Sequence, residues 1–135
     1  MNNAAGKSAF GLDANVASGL AYLPFFFCHL IVSIAILATD KTNKLARFHA
    51  VQSLLISGVG VVLGVLFFIC YFVVVLIVLA SQTPALMFLI FLVFAVFGLL
   101  MLGVFIGVII AMIKGFQGEI FKLPIIGNLA DKWSN

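Results

Sequence analysis

The sequence predicts an all-α membrane protein with three transmembrane helices and an interfacial, amphipathic C-terminal segment, and three observations lead there. Of its 135 residues, 65% are hydrophobic and 8% charged, where a soluble domain has roughly half and about a quarter. No Asp, Glu, Lys or Arg stands between Arg47 and Lys114, a run that so small a soluble core cannot hide. Two polar breaks, Thr39 to Lys44 and Ser81 to Pro84, divide the apolar chain into three stretches long enough to cross a bilayer.

Residues 1–15 form a polar N-terminal segment whose Asp13 is placed to accept from the free amides of a following helix. A first span is expected over 16–38. Its apolar stretch is too long for a signal h-region and no small-residue cleavage site follows, so it reads as retained. Pro24 kinks this helix or sets its first turns. Residues 39–47 make a hydrophilic loop. The uncharged run after it would be roughly 50 Å long as one helix, against about 30 Å of hydrocarbon. Its polar opening, 48–53, is therefore expected in the headgroup layer and the span proper over 54–80, with tilt absorbing the excess. Pro84 starts a third span, 85–113, from its first turn. The tail, 114–135, mixes apolar residues with charges and glycines as a surface-lying segment does, with Trp133 as interfacial anchor.

Basic residues set orientation. Lys41, Lys44 and Arg47 fall in the first loop and Lys114, Lys122 and Lys132 after the last span, so both segments belong on the cytoplasmic side. Three spans satisfy this with the N-terminus outside, whereas four would separate them. Cysteines at Thr42 and Ser134 are then expected to label from one side. The net charge of +3 rests on few groups, and no basic run with interleaved aromatics suggests nucleic acid.

Small residues four apart allow close backbone approach in lipid, where no hydrophobic force draws helices together. Gly103, Gly107, Ala111 and Gly115 make such a stripe on the third span, and Ser53, Ser57, Gly60 and Gly64, three or four apart, a comparable one on the second. The two stripes are expected to pack together; the competing reading makes one of them an interface to another protomer or partner. The fifteen Phe residues are lipid-facing bulk.

Chemistry is sparse. His29 lies near the middle of the first span, and an intramembrane ionisable group is a functional candidate by default. The structural reading is a neutral imidazole bonded to a carbonyl or to a hydroxyl such as that of Tyr71. Cys28 beside it points to another helix face, so metal or haem ligation has little support, and Cys28 and Cys70 read as small hydrophobes. Asp13, Asp40, Glu119 and Asp131 are scattered, with no nucleophile elbow, phosphate loop or carboxylate pair. The chain is expected to be no enzyme and to need no metal or cofactor. On the cytoplasmic side, Arg47, His49, Gln52 and Ser53 meet Glu119, Lys122 and Pro124; an Arg47–Glu119 pair is expected to clamp the tail to the first loop.

Those segments also carry a resemblance. Arg47-Phe48-His49-Ala50-Val51-Gln52-Ser53 and Gly118-Glu119-Ile120-Phe121-Lys122-Leu123-Pro124-Ile125-Ile126-Gly127 resemble motifs of the bacterial relatives of the Tic-twenty component of the chloroplast inner-envelope translocon, a family that includes MamF-like magnetosome proteins. The opening, Gly11 to Ala17, fits the same pattern, and His29 departs from it. The resemblance implies a bacterial cytoplasmic membrane, or an internal membrane derived from it, and a non-enzymatic accessory subunit or scaffold of a larger complex. An oligomeric component of a protein or solute translocation pathway is the alternative. The expected partners are the bilayer and a larger membrane complex or homo-oligomer.

Overall fold

A computed structural model describes residues 6–8, 11–24 and 27–134. The rest of the polar N-terminal segment, and residues 25–26 of the expected first span, lie outside the described residues. Its elements are helical: α1 (Ala14–Leu20), α2 (Cys28–Thr39), α3 (Lys44–Ser81), a 3-10 turn (Pro84–Leu86), α4 (Met87–Phe116) and α5 (Ile126–Trp133). The chain divides into two compact units, one of residues 1–57 and 106–135, the other of residues 58–105.

The expected first span is not one helix. Pro24 supplies no N–H and drives the preceding residue out of the helical region, so α1 closes on tightened bonds from the Tyr22 amide to the Gly19 carbonyl and from the Leu23 amide to the Leu20 carbonyl. Helix α2 restarts only at Cys28, and its 12 residues reach about 18 Å, short of a hydrocarbon core of about 30 Å. Among the described residues two helices, α3 and α4, are long and apolar enough to cross a membrane.

The ends of the broken segment lie together. Ser8 donates to the Asp40 carboxylate at 2.6 Å, and the same carboxylate accepts from the amides of Thr42 at 3.1 Å and Asn43 at 2.9 Å. Asn43 then caps α3, its side-chain oxygen accepting from the Ala46 amide at 3.2 Å. Asp13 takes the position before α1 but makes no cap bond; its carboxylate goes to Lys7 at 2.9 Å.

The core of the first unit is made of small residues. Ala17, Ala21, Ala46, Ala50 and Ala111 pack with Tyr22 and Ile36, and side chains this short let α1, α2, α3 and the end of α4 approach closely. Gly115 sits where a Cβ would lie 2.9 Å from the Ser18 backbone. Segment 48–53, expected among headgroups, is surrounded by protein: Phe48 and Ala50 are fully buried and Val51 nearly so. Helix α4 ends in a Schellman motif, with Gly118 in the left-handed region at φ 76° and the Glu119 amide donating to the Lys114 carbonyl at 3.0 Å. That glycine turns the chain at Glu119, the point from which the tail makes its bonds to α3.

In the second unit, Phe67 of α3 meets Phe94 and Phe97 of α4 with ring centroids 5.2 and 5.5 Å apart. The stripes do not pack together as expected. Gly60, Gly64 and Gly103 have nothing within 4 Å of a Cβ position, while Gly107 faces the Leu123 side chain, Ala111 lies in the first unit's core and Gly115 faces α1.

Candidate functional site

The densest polar arrangement joins α3 to the tail. His49, Gln52 and Ser53 stand one turn apart on the buried face of α3's opening turns. The Nε2 of His49 lies 2.9 Å from the Glu119 carbonyl, which can only accept, so Nε2 carries the hydrogen. Nδ1 is then the acceptor, and the Tyr22 hydroxyl donates to it at 3.0 Å. The same hydroxyl accepts from Gln52 Nε2 at 3.0 Å. The second amide hydrogen goes to the Phe121 carbonyl at 3.1 Å, and Gln52 Oε1 accepts from the Leu123 amide at 3.1 Å. Each donor and acceptor in the chain from Glu119 to Leu123 is thus assigned, and the assignment requires a neutral imidazole.

Burial is the main influence on this ring, pushing the His49 pKa down to about 4 against the Glu119 carbonyl, which favours the protonated form. Ser53 donates to the Ala21 carbonyl, as does Ser33, which supplies partners for the backbone freed by the break at Pro24. No buried side-chain nitrogen or oxygen among the described residues is left without a partner.

The expected Arg47–Glu119 clamp is not formed. Arg47 donates through Nη1 to the Asp40 carbonyl at 2.9 Å and through Nε to the Ser134 carbonyl at 3.0 Å, while Glu119 pairs with Lys114 at 2.8 Å. The physical reason is the Schellman turn, which presents the Glu119 backbone to α3 and leaves its carboxylate beside the helix it has just left. Lys122 pairs with Asp131 at 2.9 Å, which also lies 3.6 Å from Lys44. Lys122 draws the Asp131 carboxyl below the usual range, with Lys44 adding to it. For Asp40, burial works upward, but Ser8, the Asn43 and Thr42 amides and Arg47 outweigh it and hold the group low. Pro124 is exposed and accepts from the Ile126 amide at 2.8 Å.

His29 does not reach Tyr71. Its Nε2 lies 3.0 Å from the Ser57 hydroxyl, which donates to the Ser53 carbonyl at 3.1 Å; His29 therefore donates to Ser57. No group of three or more metal-ligating side chains occurs among the described residues. Sequence reasoning missed Tyr22, Asp40 and Asn43. A tyrosine two residues before Pro24, in an otherwise apolar run, was the available signal, because a buried phenol needs a partner.

Comparison with known proteins places the chain. It is 33% identical to a UPF0132 membrane protein of Methanocaldococcus jannaschii over 130 residues, 96% of each chain. A second protein of that description from the same organism is 29% identical over 126 residues, covering 93% of this chain and 73% of the relative. One from Archaeoglobus fulgidus is 30% identical over 122 residues, 90% of this chain and 95% of the relative. The chain belongs to the UPF0132 membrane protein family. No family model matches it, and no solved structure does. The resemblance to Tic-twenty-like and MamF-like bacterial proteins is thereby overturned: the relatives are archaeal and of another description. The two motifs that suggested it are the segments His49 and Gln52 bind together, and two short motifs do not by themselves carry a family or a function.

Proposed function

We propose that the chain is a two-span, non-enzymatic subunit that assembles with other membrane helices through residues 58–105. The observation that carries this is the contrast between its glycines. The helical glycines of the first unit, Gly19, Gly107, Gly115 and Gly127, all meet atoms of the chain itself, whereas the helical glycines of the second, Gly58, Gly60, Gly64, Gly98 and Gly103, have nothing within 4 Å. In lipid, an open glycine row is where another backbone can approach closely. A groove of about 300 Å³ beside them, lined by Leu63, Gly64, Phe67, Phe94, Phe97, Gly98 and Met101, is apolar throughout and suits a side chain of a neighbouring helix rather than a polar solute.

The joined ends of residues 8–40 support a two-span topology. A segment whose ends meet enters and leaves on one side, so only α3 and α4 cross. All seven basic and all four acidic residues then lie on one face, and Ser81-Gln82-Thr83, uncharged, on the other. This is a stronger lysine and arginine bias than the three-span arrangement has, and it supports a cytoplasmic membrane with both termini inside.

Purification in a mild detergent, with companions and stoichiometry read by mass spectrometry, tests the assembly reading. A discrete complex that is lost in Gly64→Leu and Gly103→Leu supports it; a monomer without stoichiometric companions overturns it. In a background with Cys28 and Cys70 replaced by serine, Lys7→Cys, Thr42→Cys and Ser134→Cys are expected to label from one side and Gln82→Cys from the other. Opposite labelling of Lys7→Cys and Thr42→Cys would restore a crossing first segment.

A further inference from the structure

Helix α5 has two unlike faces. Gly127 and Ala130 are buried; a Cβ on Gly127 would lie within 2.8 Å of the Lys122 backbone, and Ala130 packs with Phe48 and Val51. On the other side Ile125, Leu129 and Trp133, each four residues from the next, are 96%, 36% and 57% exposed. Ile125 is also strained: at φ 70° and ψ −57°, with the Ile126 amide donating to the Pro124 carbonyl at 2.8 Å, it forms the rare γ-turn that a β-branched residue adopts at a cost. Within the chain, that strained side chain touches almost nothing.

We propose that Ile125, Leu129 and Trp133 seat α5 in the headgroup and upper acyl layer of an anionic leaflet, the one from which α4 emerges. Continuity argues for the bilayer as occupant. Exposed apolar residues follow one another along the chain from Ile113 and Phe116 at the end of α4, a helix of membrane-crossing length, through Ile120 to the α5 face. An amphipathic helix that begins ten residues after the end of such a span has the same bilayer within reach. Charge argues for an anionic surface. Asp131 is taken up by Lys44 and Lys122, and among the described residues neither Lys132 nor Lys41 has a carboxylate partner; Lys41 donates to the Leu37 carbonyl. Lysines beside an apolar, Trp-bearing stripe are what anionic headgroups hold. Ile125 at the strained turn becomes the deepest contact, its apolar side chain leaving water when the helix seats.

Trp133 is the single tryptophan, so its fluorescence reports on this face alone. The full chain is reconstituted without partners into vesicles of phosphatidylcholine with phosphatidylglycerol, some carrying lipids brominated near the headgroup end of the chain. Strong quenching by these bromolipids together with protection from aqueous iodide is expected, with weaker bromolipid quenching in pure phosphatidylcholine. Ile125→Asp is expected to shift the emission to the red and restore iodide access while leaving helix content unchanged, since the residue is outside the core. A Trp133 open to iodide and indifferent to bromolipids, as it would be if a protein partner covers this face instead, overturns the proposal. Equal quenching in charged and neutral vesicles overturns its anionic part. Neither result depends on whether residues 58–105 assemble with other helices.

Discussion

Helices α3 and α4 each contribute to both units, and the same two helices live under different rules in each. In the unit of residues 1–57 and 106–135, α3 offers His49, Gln52 and Ser53 to named partners, and every buried residue among those described belongs to this unit. In the unit of residues 58–105 there is no charge and no buried residue; its glycines face open space. The difference shows where conformational specificity comes from. In the first unit, directional hydrogen bonds in a dry interior select one arrangement, because an orphaned buried donor or acceptor is costly. The second has no such constraint from its own chain, and its lipid-soluble surface leaves the choice of neighbours to packing with lipid or other helices.

The sharpest way to break this contrast is Gln52→Leu. It leaves the Phe121 carbonyl and the Leu123 amide without their partner and removes a donor from Tyr22. A loss of about 3 kcal/mol or more is expected, read as earlier denaturation in detergent and as protease cleavage of the tail after Phe116. Phe67→Leu, in the second unit, should leave tail protection intact.

Acid comes next. The His49 pKa is about 4 in the folded protein and about 6.5 unfolded, so above pH 6.5 the ring is neutral in both states and contributes no pH dependence. As pH falls from 6.5 to 4, the unfolded chain takes up a proton that the folded one refuses, and about 3 kcal/mol of stability is lost. Below that the His49 effect is constant. Asp40, held low in the fold, contributes its loss only at more acidic pH, as its folded carboxyl protonates. A denaturation series should therefore show a first decline that disappears in His49→Gln and a second that does not.

Glycine substitutions divide the units directly. Gly115→Ala places a methyl 2.9 Å from the Ser18 backbone and is expected to cost about 1–3 kcal/mol by overpacking. Gly103→Ala meets nothing and should leave the stability of the isolated chain unchanged or raise it by up to about 1 kcal/mol through helix propensity. The smallest effect belongs to Lys7→Ala, whose pair with Asp13 is largely exposed; less than about 1 kcal/mol is expected, fading with salt.

Much of the fold was legible because it depends on local composition. The uncharged run between Arg47 and Lys114 and the turn at Pro84 mark α3 and α4 without reference to anything else in the chain. The clamp was legible only as a neighbourhood. Sequence placed Arg47, His49 and Gln52 near the tail, but opposite charges suggested Arg47 and Glu119 as the bond. The structure uses backbone carbonyls instead, and carbonyls are present at every residue, so their choice leaves no mark on the sequence. The glycine stripes erred for a related reason: spacing of four records that a helix has a small face, and says nothing of what that face meets.

Taken alone, then, the sequence determined that this protein lives in a membrane, where its long helices run, and that its charges lie outside residues 48–113. Those properties sum residue by residue over the free energy of transfer between water and lipid. Only the tertiary structure decided that Ser8 meets Asp40, that Tyr22 orders the proton on His49, and that α5 turns Ile125 outward. Each of these depends on partners distant in the chain, and a buried hydrogen bond has its energy only when both ends are in place.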